Sequence, residues 1–157
     1  VEALTKMVAV AALKYQILRQ APGTNIVFDK ERALSFEGDS GPYLQYTHAR
    51  LVSVCEKALE NGITRAYTTT PNAPYPIEKI LYRFEEVLVA ALTERAPHKV
   101  VTYLTELAGA FNTFYAHEKI ADASDEFASY KLALAHAVMI TLKNGLHVLG
   151  IEAPNKM

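Results

Sequence analysis

The chain has no tryptophan and a single cysteine, Cys55. One thiol excludes an internal disulfide framework and fits a reducing, cytosolic compartment. No apolar run reaches the roughly 18 residues of a membrane span, and no signal-peptide pattern is present. Neither a membrane location nor secretion is therefore expected. Charge of neither sign dominates: 16 Lys and Arg stand against 17 Asp and Glu. Bulk charge thus gives no polybasic footprint, and any contact with nucleic acid has to come from a local patch. The five histidines, His48, His98, His117, His136 and His147, lie scattered. None sits at a ligand spacing from Cys55 or a carboxylate, so no metal site is expected. Gly38 and Gly41 are not followed by the lysine and hydroxyl residue of a phosphate-binding loop. No catalytic constellation is legible. Glu37 and Asp39 read as loop carboxylates that cap a helix or face water, and Asp125-Glu126 as solvated charges.

What the chain does have is helical periodicity. Leu4, Val8, Ala11, Ala12, Tyr15 and Leu18 form one stripe, in a helix that runs to about Gln20 and stops before Pro22-Gly23. "NIVFD" is a short apolar run, either extended or the entry to a turn. Ser40 is placed to cap a helix whose first turn holds Gly41-Pro42 and which ends at Asn61-Gly62. Pro76 opens the next helix, with Leu81, Phe84, Leu88, Ala91 and Leu92 inward. Pro97 ends it and seats another, with Val100, Leu104, Leu107, Phe111 and Phe114 inward. A last helix runs from about Asp125, with Phe127, Leu134, Val138 and Leu142 inward and Asn144-Gly145 as a candidate interruption. Helices with short connections and almost no strand signal predict an all-α bundle of about five helices. The sequence opens at Val1 inside a helical pattern, as if cut from a longer protein.

The stretch "SGPYLQYTHAR", Ser40 to Arg50, carries the functional question. At 100° per residue, Tyr43, Tyr46 and Arg50 fall within an arc of about 60°. Leu44, Leu51, Val52, Cys55, Ala58 and Leu59 define an apolar arc about 110° away, which also takes in His48. The rings and the guanidinium therefore belong to an edge or to the solvent side. Two arrangements fit. Exposed rings beside an arginine make a stacking platform for unpaired bases. Alternatively the tyrosines pack on a neighbouring helix with their hydroxyls reaching water. His48 and Cys55 read as a hydrogen-bonded core or rim histidine and an inert buried thiol.

The wording around this helix narrows the choice. "ALSFEGDSGPYLQYTHAR" closely resembles the segment of arginyl-tRNA synthetases that joins the catalytic domain to the C-terminal anticodon-binding, or DALR, domain. "AFNTFY" (Ala110 to Tyr115), the ending "LGIEAPNKM" and "ALKYQILR" near the start are similar to other stretches of that family. The resemblance covers the whole chain. It implies the helical bundle of a class Ia synthetase anticodon-binding domain over residues 39–157. Residues 1–38 would be a short remnant of the catalytic domain and its connection. The family's HIGH-type and KMSKS-type motifs are absent, so no catalytic residue is assigned here and ATP and Mg belong to the parent enzyme. The fragment itself would need no cofactor and would not form arginyl adenylate.

By the same resemblance, Tyr43, Tyr46, Arg50, Tyr115 and Met157 contact the anticodon loop of arginine tRNA. No DNA or membrane partner is implied, and the parent enzyme is expected to be monomeric. The residues themselves support Tyr115 less well, since it lies near the Phe111/Phe114 stripe and fits a core or rim position equally. Every arginine codon has G in the middle, so one pocket for a splayed cytosine serves every isoacceptor. Stacking on Tyr43 or Tyr46 would contribute about 1–3 kcal/mol per base, and Arg50 would pair with a phosphate or lie on a base. The alternative reading is a helical protein-interaction module without RNA binding.

Overall fold

The structure, a computed structural model, describes residues 2–157. Val1, where the helical pattern opens, lies outside the described residues. Among the described residues there are seven helices and no strand: α1 (Glu2–Leu18), α2 (Lys30–Ala33), α3 (Gly41–Glu60), α4 (Pro76–Tyr82), α5 (Phe84–Thr93), α6 (His98–His117) and α7 (Ala128–Val148). The all-α bundle follows the sequence reading, with two helices beyond the expected five. No helix among the described residues is long and apolar enough to cross a membrane. No group of His, Cys, Asp and Glu among them could hold a metal ion.

The α3 helix is the spine, packed on α1 along one side, on α7 along another and on α6 between them. Its limits are set by local chemistry. The Ser40 hydroxyl accepts from the Tyr43 N–H at 3.1 Å, while Pro42 occupies the first turn. At the other end Gly62 adopts φ +78°, and the N–H groups of Gly62 and Ile63 turn back to the carbonyls of Leu59 and Ala58. That is the Schellman closure, in which a left-handed residue satisfies the last carbonyls. Leu44, Leu51, Cys55 and Ala58 are buried as their spacing predicts, but Leu59 is exposed. Gly41 serves contact rather than flexibility. A Cβ there would lie 2.3 Å from the Ala11 carbonyl oxygen, so glycine is what lets α1 and α3 touch at backbone distance.

Five further expectations are corrected. The helix opened by Pro76 is not continuous, since it breaks at Arg83 into α4 and α5. The Arg83 guanidinium there reaches both carboxylate oxygens of Glu106 on α6, at 3.1 and 3.3 Å. Leu92, expected inward, is 81% exposed, because α5 is short and its buried edge ends at Ala91. The last helix begins at Ala128 rather than near Asp125. The Asp125 carboxylate instead accepts from the Phe127 N–H at 2.8 Å and pairs with Lys131 at 2.6 Å, so it is not a solvated charge. Asn144-Gly145 does not interrupt α7. A Cβ on Gly145 would fall 2.4 Å from Leu104 Cδ2, so this glycine permits close packing of α7 on α6.

Asp39 also departs from the sequence reading. It accepts a hydrogen bond from the Tyr15 hydroxyl and pairs with Arg19 and Arg32, tying α1 and α2 to the loop that enters α3. Tyr15 is fully buried and touches Thr105 on α6 at 2.8 Å. Burial and the adjacent Asp39 carboxylate push its phenol well above the usual tyrosine range. The segment "NIVFD" forms neither helix nor strand, and Ile26, Val27 and Phe28 are exposed.

Candidate nucleic-acid interface

Two helices build the candidate surface: the first half of α3 and the last turns of α6. The caps set the limits of α3, and burial of Leu44, Thr47, His48 and Leu51 in the bundle sets its rotation, leaving Tyr43, Tyr46 and Arg50 along its edge. On α6, Phe111 and Phe114 are buried, so Asn112 and Tyr115 rise beside the same edge. The Arg50 guanidinium lies 4.8 Å from the centre of the Tyr46 ring and 5.7 Å from that of Tyr115. It donates to Asn112 Oδ1 at 2.8 Å and to the Tyr46 hydroxyl at 3.2 Å. Asn112 Nδ2 in turn donates to the Tyr43 hydroxyl at 2.9 Å.

The result is one connected platform. Tyr46 is 38% exposed and Tyr115 43% exposed, while Tyr43 is half-buried with its ring against the core. Neither sequence arrangement holds alone: Tyr43 packs on the neighbouring helix, and Tyr46 faces outward. Tyr115 takes a rim position, stacked on buried Phe111 with ring centres 6.0 Å apart and planes 26° apart. Asn112 and Tyr46, which accept these two hydrogen bonds, are neutral side chains, so no carboxylate offsets the charge of Arg50 in those contacts. Cations placed over aromatic faces attract anionic and π-rich ligands alike.

Two members of this surface escaped the sequence reading. Asn112 sits inside "AFNTFY" and is the only residue here that bonds to both Arg50 and Tyr43. Phe36, in the loop before α3, is exposed and meets Tyr46 edge to face with ring centres 6.2 Å apart. Its signal was an aromatic residue in a glycine-rich loop, which has no packing reason to be there. Beside Tyr115 a groove of about 720 Å³ runs between α3 and the connector after α6, lined by Lys57, Asn61 and Lys119 among others.

The fifth residue, Met157, is 39% exposed at the end of a tail that is anchored three residues earlier. Gln45 Nε2 donates to the Glu152 carbonyl at 2.8 Å, and His48 Nδ1 lies 3.0 Å from the Pro154 carbonyl. Burial pushes the His48 imidazole below its ordinary range. It is therefore neutral near pH 7, with its proton on Nδ1 donated to that carbonyl. None of the hydrogen bonds or ring contacts that build the platform involves Met157.

Residues 44–157 match the family described as DALR anticodon binding domain. Over 163 residues the chain is 39% identical to the arginine–tRNA ligase of Thermococcus kodakarensis, covering 98% of this chain and 25% of that protein. It is 38% identical over 158 residues to the arginine–tRNA ligase of Pectobacterium carotovorum, covering 99% and 27%. Among solved structures, the arginyl-tRNA synthetase of Thermus thermophilus superposes with a TM-score of 0.81 at 34% identity, over 97% of this chain and 27% of that one. The chain thus spans about a quarter of the length of the curated relatives it matches.

Proposed function

This chain belongs to the DALR anticodon binding domain family, and from that premise we propose that it is the anticodon-reading part of an arginine–tRNA ligase. Its partner is the anticodon loop of arginine tRNA. Arginylation, with its ATP and Mg, belongs to a catalytic region outside this sequence, in a monomeric cytoplasmic enzyme. Residues 39–157 form the reading bundle and residues 1–38 its link to that region.

The observation that carries the reading is the platform. A guanidinium held between Tyr46 and Tyr115 offers faces on which unstacked bases lie, and a charge for the phosphate beside them. Tyr43 supplies a hydroxyl at the same edge. Met157 adds a flexible apolar side chain for the RNA at the end of the anchored tail, apart from the contacts of the platform itself.

The test is a filter-binding titration with anticodon stem-loops that differ only in the middle base. Binding is expected to fall steeply with salt, as phosphate contacts release counterions, and to favour C. Equal binding of all four stem-loops with no salt dependence would sink the reading in favour of a protein-interaction module. Tyr46→Ala removes one exposed ring from the platform. It is expected to weaken the C stem-loop about 30-fold, at the centre of the stacking range. Its melting temperature should stay close to the parent's, because the lost contacts are at the surface. A large loss of stability would mean that Tyr46 is there for packing.

A further inference from the structure

Hydrogen-bond direction at the platform follows from which groups can donate. Arginine only donates, so the Asn112 side-chain oxygen must face Arg50 and its NH₂ must face away. That NH₂ points at the Tyr43 hydroxyl, 2.9 Å away, and at Thr47 Oγ1, 3.4 Å away. The Tyr43 oxygen therefore accepts from the protein, and its own proton is unclaimed. Tyr46 is in the same state, since its oxygen accepts from Arg50. Asn112 is half-buried between the two helices and cannot reverse without setting its NH₂ against the guanidinium.

We propose that Asn112 is the positioning residue that sets the polarity of this surface. By committing its carbonyl to Arg50 and its amide to Tyr43, it leaves both phenols as outward donors, matched to a base edge that presents acceptors. The inference rests on the anticodon reading above and names the part of that site which tells pyrimidines apart. Cytosine carries acceptors at N3 and O2 on adjacent edge atoms. Uracil carries a proton at N3, and a donor aimed there meets another donor. A donating Tyr43 hydroxyl therefore favours C over U at the same position, and the preference depends on Asn112 holding the hydroxyl that way round.

Asn112→Asp tests this with little change in shape. The aspartate still accepts from Arg50, so the guanidinium keeps its place. Its second oxygen accepts where the amide donated, so the Tyr43 proton turns inward and the outward face becomes an acceptor. The added negative charge weakens every RNA alike, whereas reversed polarity acts on the base. The readout is the ratio of affinities for two anticodon stem-loops, C and U in the middle. For the unaltered chain the ratio is expected near tenfold, the value of one discriminating hydrogen bond of about 1.4 kcal/mol. In Asn112→Asp it should fall to parity or invert. Tyr43→Phe, which deletes the donor and leaves Asn112 in place, should bring the ratio to parity without inversion, and it keeps the test alive if the aspartate variant folds poorly. An Asn112→Asp ratio equal to the parent's, with both RNAs weakened together, would overturn the inference and leave the anticodon reading standing. No C preference in the unaltered chain would overturn both.

Discussion

Arg50→Ala is expected to lower affinity for the C-centred stem-loop by about 30- to 100-fold. The guanidinium serves three purposes at one point. It is the cation over Tyr46 and Tyr115, it orients Asn112 through Oδ1, and it supplies the charge for a phosphate. A hydrogen bond to a charged group is worth about 1.5–3 kcal/mol, and at 1.4 kcal/mol per decade that alone spans the predicted range. The slope of log affinity against log salt should also fall by about one phosphate contact. Stability should change by only about 1 kcal/mol, because the arginine lies at an edge and its partners keep access to water. Arg50→Lys separates the purposes. Lysine keeps the charge and hence the salt slope, but cannot hold Asn112 and Tyr46 with one planar fork. Affinity within twofold of the parent's in Arg50→Ala would remove the platform from the account of binding.

Much of this surface was legible in one dimension because its determinants are local. The Ser40 cap, the proline in the first turn and the Gly62 stop lie within the helix they bound. They fix the extent of the helix, and within it the 3.6-residue period sets Tyr43, Tyr46 and Arg50 on one edge beside the buried stripe. The stripe from Val100 to Phe114 is buried throughout, as a period of 3.6 residues requires. What could not be read is whatever depends on the register between helices. Asn112 is one polar residue on an exposed turn until α6 is laid against α3, and only then does it face Arg50, 62 positions earlier. The pairing of Arg83 with Glu106 likewise joins side chains 23 positions apart on different helices. Tyr115 stayed undecided because a tyrosine at the rim satisfies both readings: its ring stacks on Phe111 and its outer face remains open. Asp39 looked like a helix cap because nothing nearby in sequence announces that Tyr15, Arg19 and Arg32 converge on it.

Lys131→Met is expected to destabilise the bundle by about 2–4 kcal/mol at pH 7. Lys131 is 5% exposed, and its ammonium lies 2.5 Å from Glu118 and 2.6 Å from Asp125. Glu118 closes α6, Asp125 stands in the connector, and Lys131 lies in the first turn of α7, so one cation fastens three consecutive parts of the chain. Methionine fills much the same volume with a flexible apolar chain. The loss is therefore that of the pair itself and of two carboxylates left unneutralised. Removing one partner of a fully buried pair costs about 3–5 kcal/mol. The figure here is lower because each carboxylate keeps about a quarter of its surface in water. The effect should depend on pH in a definite direction. The hydrogen bond from Lys131 holds the Asp125 carboxyl below its usual range, against an opposing push from burial. A depressed carboxyl contributes its full stability above the ordinary value near 3.9 and loses it as pH falls through the folded-state value. Lys131 shifts the other way. Burial opposes its charge, but the bonds to Asp125 and Glu118 outweigh that and raise it above the lysine range. Its contribution is in place below the ordinary lysine value near 10.4 and is lost only as pH climbs through the raised one. The stability gap between parent and variant, measured by urea unfolding, should thus be level from about pH 5 to 9 and narrow below about pH 4. A gap that stayed constant down to pH 2 would assign the loss to packing. Further replacement of Asp125 by Asn and Glu118 by Gln should recover much of the deficit, since a buried ion cluster exchanged as a whole for neutral groups often costs little.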